Sequence, residues 1–152
     1  MKRIEIKLSL PVVAPLLDVM KGSSESLGKN LAAPLVMKDL EPDFHKDWKE
    51  ELLNSQTSDM QVLMALFDEN FFSEGVIGLD ETNAEPVVRA CAAVRLQLRE
   101  KYLKSLGDEL LESSEVELTQ LEEPLRKAFM CYLFLATLQE LIIQHLDPST
   151  AE

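Results

Sequence analysis

The sequence predicts a mainly α fold: a single-domain helical bundle of about five helices around a central C-terminal helix, with a small two-stranded β ribbon. Three observations predict it. Ala128–Leu138 is apolar at almost every position and on every helical face, inside a longer helical stretch, Leu125–Leu146. A helix apolar all round lies within a core or a bilayer. Two further stretches, Met60–Phe71 and Val87–Tyr102, carry apolar residues at helical spacing. Strict alternation appears at the N-terminus, where Ile4, Ile6, Leu8 and Leu10 are separated by Glu5, Lys7 and Ser9. A chain of 152 residues, 46% hydrophobic and 28% charged, is globular in composition and long enough to bury one core. The expected domain spans residues 1–147, followed by a short tail, 148–152.

Ile4–Leu10 is expected to be a strand with one buried face, ended by Pro11 and Pro15. A short helix is expected from about Pro15 to Lys21, stopped by Gly22, and the small polar run Ser23–Asn30 reads as a loop. Leu31–Leu40 is ambiguous. Glu41-Pro42-Asp43 has the composition of a helix start, followed by Phe44, Trp48 and Leu52 on one face, with Trp48 expected in the core. Asn54–Thr57 reads as a break. Ser58-Asp59-Met60-Gln61 fits a capping box, opening a helix whose stripe is Met60, Leu63, Met64, Phe67 and Phe71.

Val76–Leu79, beside Gly75 and containing Gly78, is expected to pair with Ile4–Leu10 as the ribbon. Asp80–Asn83 offers N-caps and Glu85-Pro86 suits a first turn, so a helix is expected to run to about Leu106, with Gly107 past its end. Asp108–Glu123 holds seven acids and no base. It reads as a solvated loop, with contact to a basic partner as the functional alternative. The last helix is expected from about Glu122-Glu123-Pro124 to just before Asp147-Pro148.

The net charge of −12, from 15 Lys+Arg against 27 Asp+Glu, argues against nucleic acid and anionic membrane as partners. The run Ala128–Leu138 is about half the ~20 residues of a membrane span, and Gln139 and Glu140 follow it directly. Glu5, Lys7 and Ser9 interrupt the N-terminal apolar segment, unlike a secretory signal. Cys91 and Cys131 both fall in apolar helical patterns and are expected as free thiols. A cytoplasmic, reduced protein follows.

No Gly-rich phosphate loop, Gly-x-Ser-x-Gly elbow or Cys-x-x-Cys occurs, so no catalytic residue and no cofactor is expected. His45, near Glu41, Asp43 and Asp47, reads as a solvated helix start rather than a metal site. His145 suits the negative end of the last helix. The reading therefore leans away from an enzyme.

The candidate site comes from the helical wheels. Arg95 and Arg99 fall between two apolar rows, one of Val87, Cys91, Val94, Leu98 and Tyr102, the other of Ala92, Leu96 and Leu103. A cation so placed needs a partner. The last helix offers Gln139 in the middle of its main apolar face (Leu125, Ala128, Tyr132, Leu135, Ala136, Ile143, Leu146), with Glu140 to one side. Arg95 is expected to bond Gln139, Tyr132 or Glu140. That contact either pins helix register or, with Arg99, forms the floor of a site for a carboxylate. The cations Arg89, Arg95, Arg99, Lys101 and Lys104 scatter around the wheel, as ion pairs with an acidic surface would, rather than forming a nucleic-acid stripe. Met130, Leu133, Phe134 and Leu141 lie opposite the main face of the last helix, where a homodimer would cover them.

Arg89–Leu103 (RACAAVRLQLREKYL), with its Arg-Leu-x-Leu pattern, Tyr132–Leu146 (YLFLATLQELIIQHL) and Leu-Asp-Glu at Leu79–Glu81 occur in an order that resembles a bacterial family. It is a domain-of-unknown-function family, best represented in actinobacteria, whose genes often lie beside that of ClpS, the adaptor of the Clp protease. The resemblance covers about Leu35–Leu146, and the matching positions are Arg95, Leu96, Leu98, Leu138 and Gln139. Where the family carries Asn-Asp before the arginine pattern, this chain has Ala92-Ala93. The family has no established activity. The resemblance implies a cytoplasmic location and an indirect link to Clp-dependent proteolysis, with a Clp-related protein as partner. The expected function is a non-enzymatic protein-binding or regulatory module. The alternative is a small enzyme or ligand-binding protein that holds an anionic group with Arg95 and Arg99. A transcriptional regulator needs a basic face, which the charge disfavours.

Overall fold

A computed structural model describes residues 3–29, 31, 42–103 and 122–146. In chain order these form β1 (Arg3–Lys7), α1 (Leu10–Val13), α2 (Leu16–Leu27), α3 (Pro42–Ala65), α4 (Glu69–Glu74), β2 (Val76–Asp80), α5 (Ala84–Leu98) and α6 (Glu123–His145). Helix α5 widens at its end into a π-turn, Arg99–Leu103. The fold is mainly α with one small ribbon.

The ribbon is antiparallel, with Arg3 opposite Asp80, Ile4 opposite Leu79 and Lys7 opposite Val76. Ile77 and Leu79 are buried against the helices, and Ile4 and Ile6 are half-buried beside them. The strand stops at Lys7, short of Leu10. Leu10 and Pro11 instead open α1, where proline forfeits no helical bond. Gly75 caps α4 in the left-handed region (φ 71°) and its carbonyl accepts from the Leu8 N–H at 2.6 Å. A Cβ there would stand 2.6 Å from the Leu8 carbonyl oxygen, so the turn into β2 requires glycine.

Two expected breaks are absent. Helix α2 runs through Gly22 and ends at Leu27, so Ser23–Leu27 is helix rather than loop. Leu16, Met20, Ser23 and Leu27 form its buried face. Burying Met20 and Leu27 outweighs the ~1 kcal/mol that glycine costs inside a helix. Helix α3 is likewise continuous through Asn54–Thr57, so Ser58–Gln61 is mid-helix and caps nothing. The Gln56 amide explains part of this, since it donates to the Leu27 carbonyl at 2.7 Å and ties α3 to the end of α2. Trp48 and Leu52 are exposed, at 39% and 37%, contrary to the core position expected for Trp48. The buried face of α3 is supplied by Asp59, Met60 and Leu63 instead.

Helix α5 packs most extensively on α6 and α3. From α6, Ala128, Phe129, Cys131, Tyr132, Leu135, Leu138, Ile142 and Leu146 are buried. Ile143, expected on that face, is 53% exposed, and Met130, Leu133 and Phe134 are half-buried against the core edge. An inward row that steps by three and four from Ala128 reaches Leu138 and Ile142 and leaves Ile143 on the outside. The helix is therefore buried on one broad face rather than all round. By length and composition alone, Leu125–His145 is long and apolar enough to cross a membrane, which the shorter run Ala128–Leu138 is not. In this fold its inward face is taken up by α2, α5 and the π-turn. The expectations for Leu31–Leu40, the helix end near Leu106, Lys104, the run Asp108–Glu123 and the tail 148–152 lie wholly or mostly outside the described residues, as do the side chains of Phe44 and His45.

Candidate functional site

The seam between α5 and α6 brings Arg95, Gln139 and Tyr132 together. Arg95 Nη1 donates to Gln139 Oε1 at 2.6 Å, and Nη2 donates to the Tyr132 hydroxyl at 3.2 Å. The guanidinium carbon also stands 4.6 Å from the centre of the Tyr132 ring, a cation–π distance. Gln139 turns its other end back, Nε2 donating to the Val88 carbonyl at 3.0 Å. One amide thus bridges a side chain and a backbone carbonyl of the same neighbouring helix, which fixes both the rotation and the height of α6 against α5. Arg95 Nε is buried and has no hydrogen-bond partner. None of the ion pairs among the described residues includes Arg95. Glu140 stands off this network, exposed, accepting from Gln144 Nε2 at 3.3 Å. Arg99 is half-buried at the head of the π-turn.

Cys91 and Cys131 lie buried in the same seam. Burial pushes each thiol up to about 12, and at Cys91 the Cys131 sulfur raises it further while Arg95 works against both. Both sulfurs stay protonated near neutral pH and act as small apolar groups rather than nucleophiles.

The opposite side of α5 carries the ion pairing expected of Arg89, with a partner, Asp59, that sequence reasoning missed. Arg89 grips Asp59 of α3 with two bonds of 3.0 Å and Glu85 of its own helix at 2.8 Å. Asp59 is 8% exposed, one of two buried polar residues among those described. The Asp59 hydrogen bond is the largest cause holding the Arg89 guanidinium above its ordinary pKa. The available signal was Asp59 itself, a carboxylate one position before Met60 and four before Leu63, on the edge of an apolar stripe. Reading it as part of a cap concealed that.

A second feature invisible to the sequence is an open groove of about 630 Å³ between the outer face of the ribbon and the corner where α3 turns into α4. Arg3 and Glu5 come from β1, and Val76, Gly78 and Asp80 from β2. They share that face because Arg3 pairs with Asp80, Glu5 with Gly78 and Lys7 with Val76. Val62, Ala65 and Leu66 of the α3 end supply apolar lining, and Asp68 and Glu74 add carboxylates. Four acids thus face one cation, Arg3, which lies across Gly78 with its guanidinium 3.9 Å from Glu5. Two of the acids are held by backbone. Asp80 Oδ1 accepts from the N–H groups of Thr82 and Asn83, and Asp68 from those of Asn70 and Phe71. No group of three or more His, Cys, Asp or Glu among the described residues is placed to hold a metal ion. Neither Arg95 nor Arg99 lines this groove or the smaller recess beside α2.

No protein-family model, curated protein or solved structure matches the chain.

Proposed function

We propose that this protein is a non-enzymatic binding module that seats a basic segment of a partner protein in the groove beside the ribbon. The observation that carries the reading is the lining of that groove: Glu5, Asp68, Glu74 and Asp80, beside the apolar Val62, Ala65 and Leu66, against Arg3 alone. Lysine and arginine are amphipathic, so their stems suit Val62, Ala65 and Leu66 while their charges meet the carboxylates. A net charge of −12 adds long-range attraction for such a partner. The resemblance of Arg89–Leu103 and Tyr132–Leu146 to a family encoded beside ClpS supports a cytoplasmic setting close to Clp-dependent proteolysis. The rival reading, an anionic group held by Arg95 and Arg99, has less behind it, because Arg95 already donates to Gln139 and Tyr132.

The test is fluorescence anisotropy with a labelled Lys/Arg-rich peptide. The expected result is binding that weakens steeply with salt, is absent for an acidic peptide of equal length, and falls about tenfold or more in a Glu5→Lys, Glu74→Lys variant. A variant that binds the basic peptide as well as the native protein does would refute the assignment of the groove.

A further inference from the structure

A second recess, of about 190 Å³, opens where α2, the π-turn and α6 meet, and its chemistry is the reverse of the groove's. We propose that it binds a small phosphate-class oxyanion between Lys101 and Lys127. Lys101 comes from the π-turn and Lys127 from the first turns of α6. In a chain with 27 acids against 15 bases, both lysines stand outside every ion pair among the described residues. Asp18 sits at the rim, beyond ion-pair distance of either.

A second, independent observation is Ser23. It is 7% exposed and lines the recess, and its side chain makes no hydrogen bond to the other described residues. A hydroxyl that lines the recess and is not bonded within the protein can donate to a ligand oxygen there. The third is the π-turn. A helix that widens locally gives up regular bonding, and such bulges gather at binding sites. Here the widening delivers Lys101 and Tyr102 to the recess, with Lys101 Nζ held 5.3 Å over the Tyr102 ring.

The ligand class follows from the donors. Planar carboxylates favour the forked guanidinium, whereas two ammonium points and a hydroxyl, set around one small space, suit a tetrahedral oxyanion. The volume is below the ~300 Å³ at which drug-sized pockets begin, so the recess takes inorganic phosphate or the phosphoryl group of a small ester, not a nucleotide.

The experiment titrates the full chain with sodium phosphate and, separately, with glycerol phosphate, against sodium chloride at matched ionic strength. The readouts are the thermal midpoint and the NMR shifts of Lys101 and Lys127. A saturable response to phosphate, absent with chloride, is expected. Lys101→Met and Lys127→Met, which keep the apolar stems, should each weaken binding about tenfold, the scale of one charge-assisted hydrogen bond. Asp18→Asn should tighten it severalfold by removing the one like charge at the rim. Tighter binding of the ester than of phosphate would assign the site to an organic phosphate, and equal binding to the free ion. A response that chloride reproduces, or that survives both lysine substitutions, overturns the proposal. The melting of each variant without phosphate separates loss of the site from loss of the fold.

Discussion

Arg89 and Arg95 leave the same helix, α5, toward different neighbours. Arg89 turns to α3 and meets two carboxylates, Asp59 and Glu85, with its side chain still 48% exposed. Arg95 turns to α6 and meets an amide, a hydroxyl and an aromatic ring, with Nε shut away from water. Water shares the charge of Arg89 with Glu85, so that pair adds little and salt weakens it. Asp59, its side chain 12% exposed, relies instead on Arg89 as its partner. In the seam, neutral dipoles carry a cation that water reaches poorly, and each of those bonds is costly to remove. The contact without an opposite charge is therefore expected to matter more to stability than the one with two.

The largest test of that ordering is Arg95→Ala. It strands Gln139 Oε1 and the Tyr132 hydroxyl and should cost roughly 2–4 kcal/mol, a fall of about 5–15 °C in the thermal midpoint. An unchanged melt would mean that the seam is held by apolar packing alone. Next is Gly75→Ala, which lies outside both seams and measures what backbone geometry contributes at the ribbon. Left-handed strain and the clash with the Leu8 carbonyl should cost about 1–3 kcal/mol by urea denaturation. Gly78→Ala should cost far less, because the atom it meets is the flexible end of Arg3.

The thiols report how dry the α5–α6 seam is. Burial raises Cys91 and Cys131 from the ordinary value near 9 to about 12. The folded state thus favours the protonated form. The stability this supplies is intact below about pH 9 and is lost as pH climbs from 9 toward 12. At pH 10.5 the loss should be roughly 1–2 kcal/mol per thiol, read as the difference in urea midpoint between the native protein and its Cys91→Ala, Cys131→Ala variant. Equal pH slopes in the two proteins would show that water enters the seam. Arg89→Ala strands the buried Asp59 carboxylate and should cost about 1–3 kcal/mol. The smallest expected effect is Glu85→Ala, which removes only the exposed half of the pair, about 0.5 kcal/mol in low salt and less in 1 M salt. An Arg89 effect larger than that of Arg95 would reverse the comparison.

The sequence made the ribbon and the ends of α6 legible, because alternation and capping composition are local. It also made the meeting of Arg95 with Gln139 legible, since each stands out as polar against an apolar row. It misled at Gly22 and at Asn54–Thr57, where residues that usually punctuate a helix sit inside one. In those places burial of Met20 and Leu27, and the Gln56 bond to the end of α2, outweigh intrinsic preference. Asp59 was hidden by a pattern that fits a cap as well as it fits a buried stripe.

Composition and periodicity by themselves determined that this chain is a mainly α protein with one ribbon, organised around the pairing of two particular helices. Those properties depend on residues three, four or two positions apart, and spacing records them. Which charges meet was decided only by the tertiary structure. The groove needs Glu5 beside Asp80, the recess needs Ser23 beside Lys127, and the clamp needs Asp59 beside Arg89. Electrostatic partnership depends on distance through space and on access to water, and neither leaves a periodic trace along the chain.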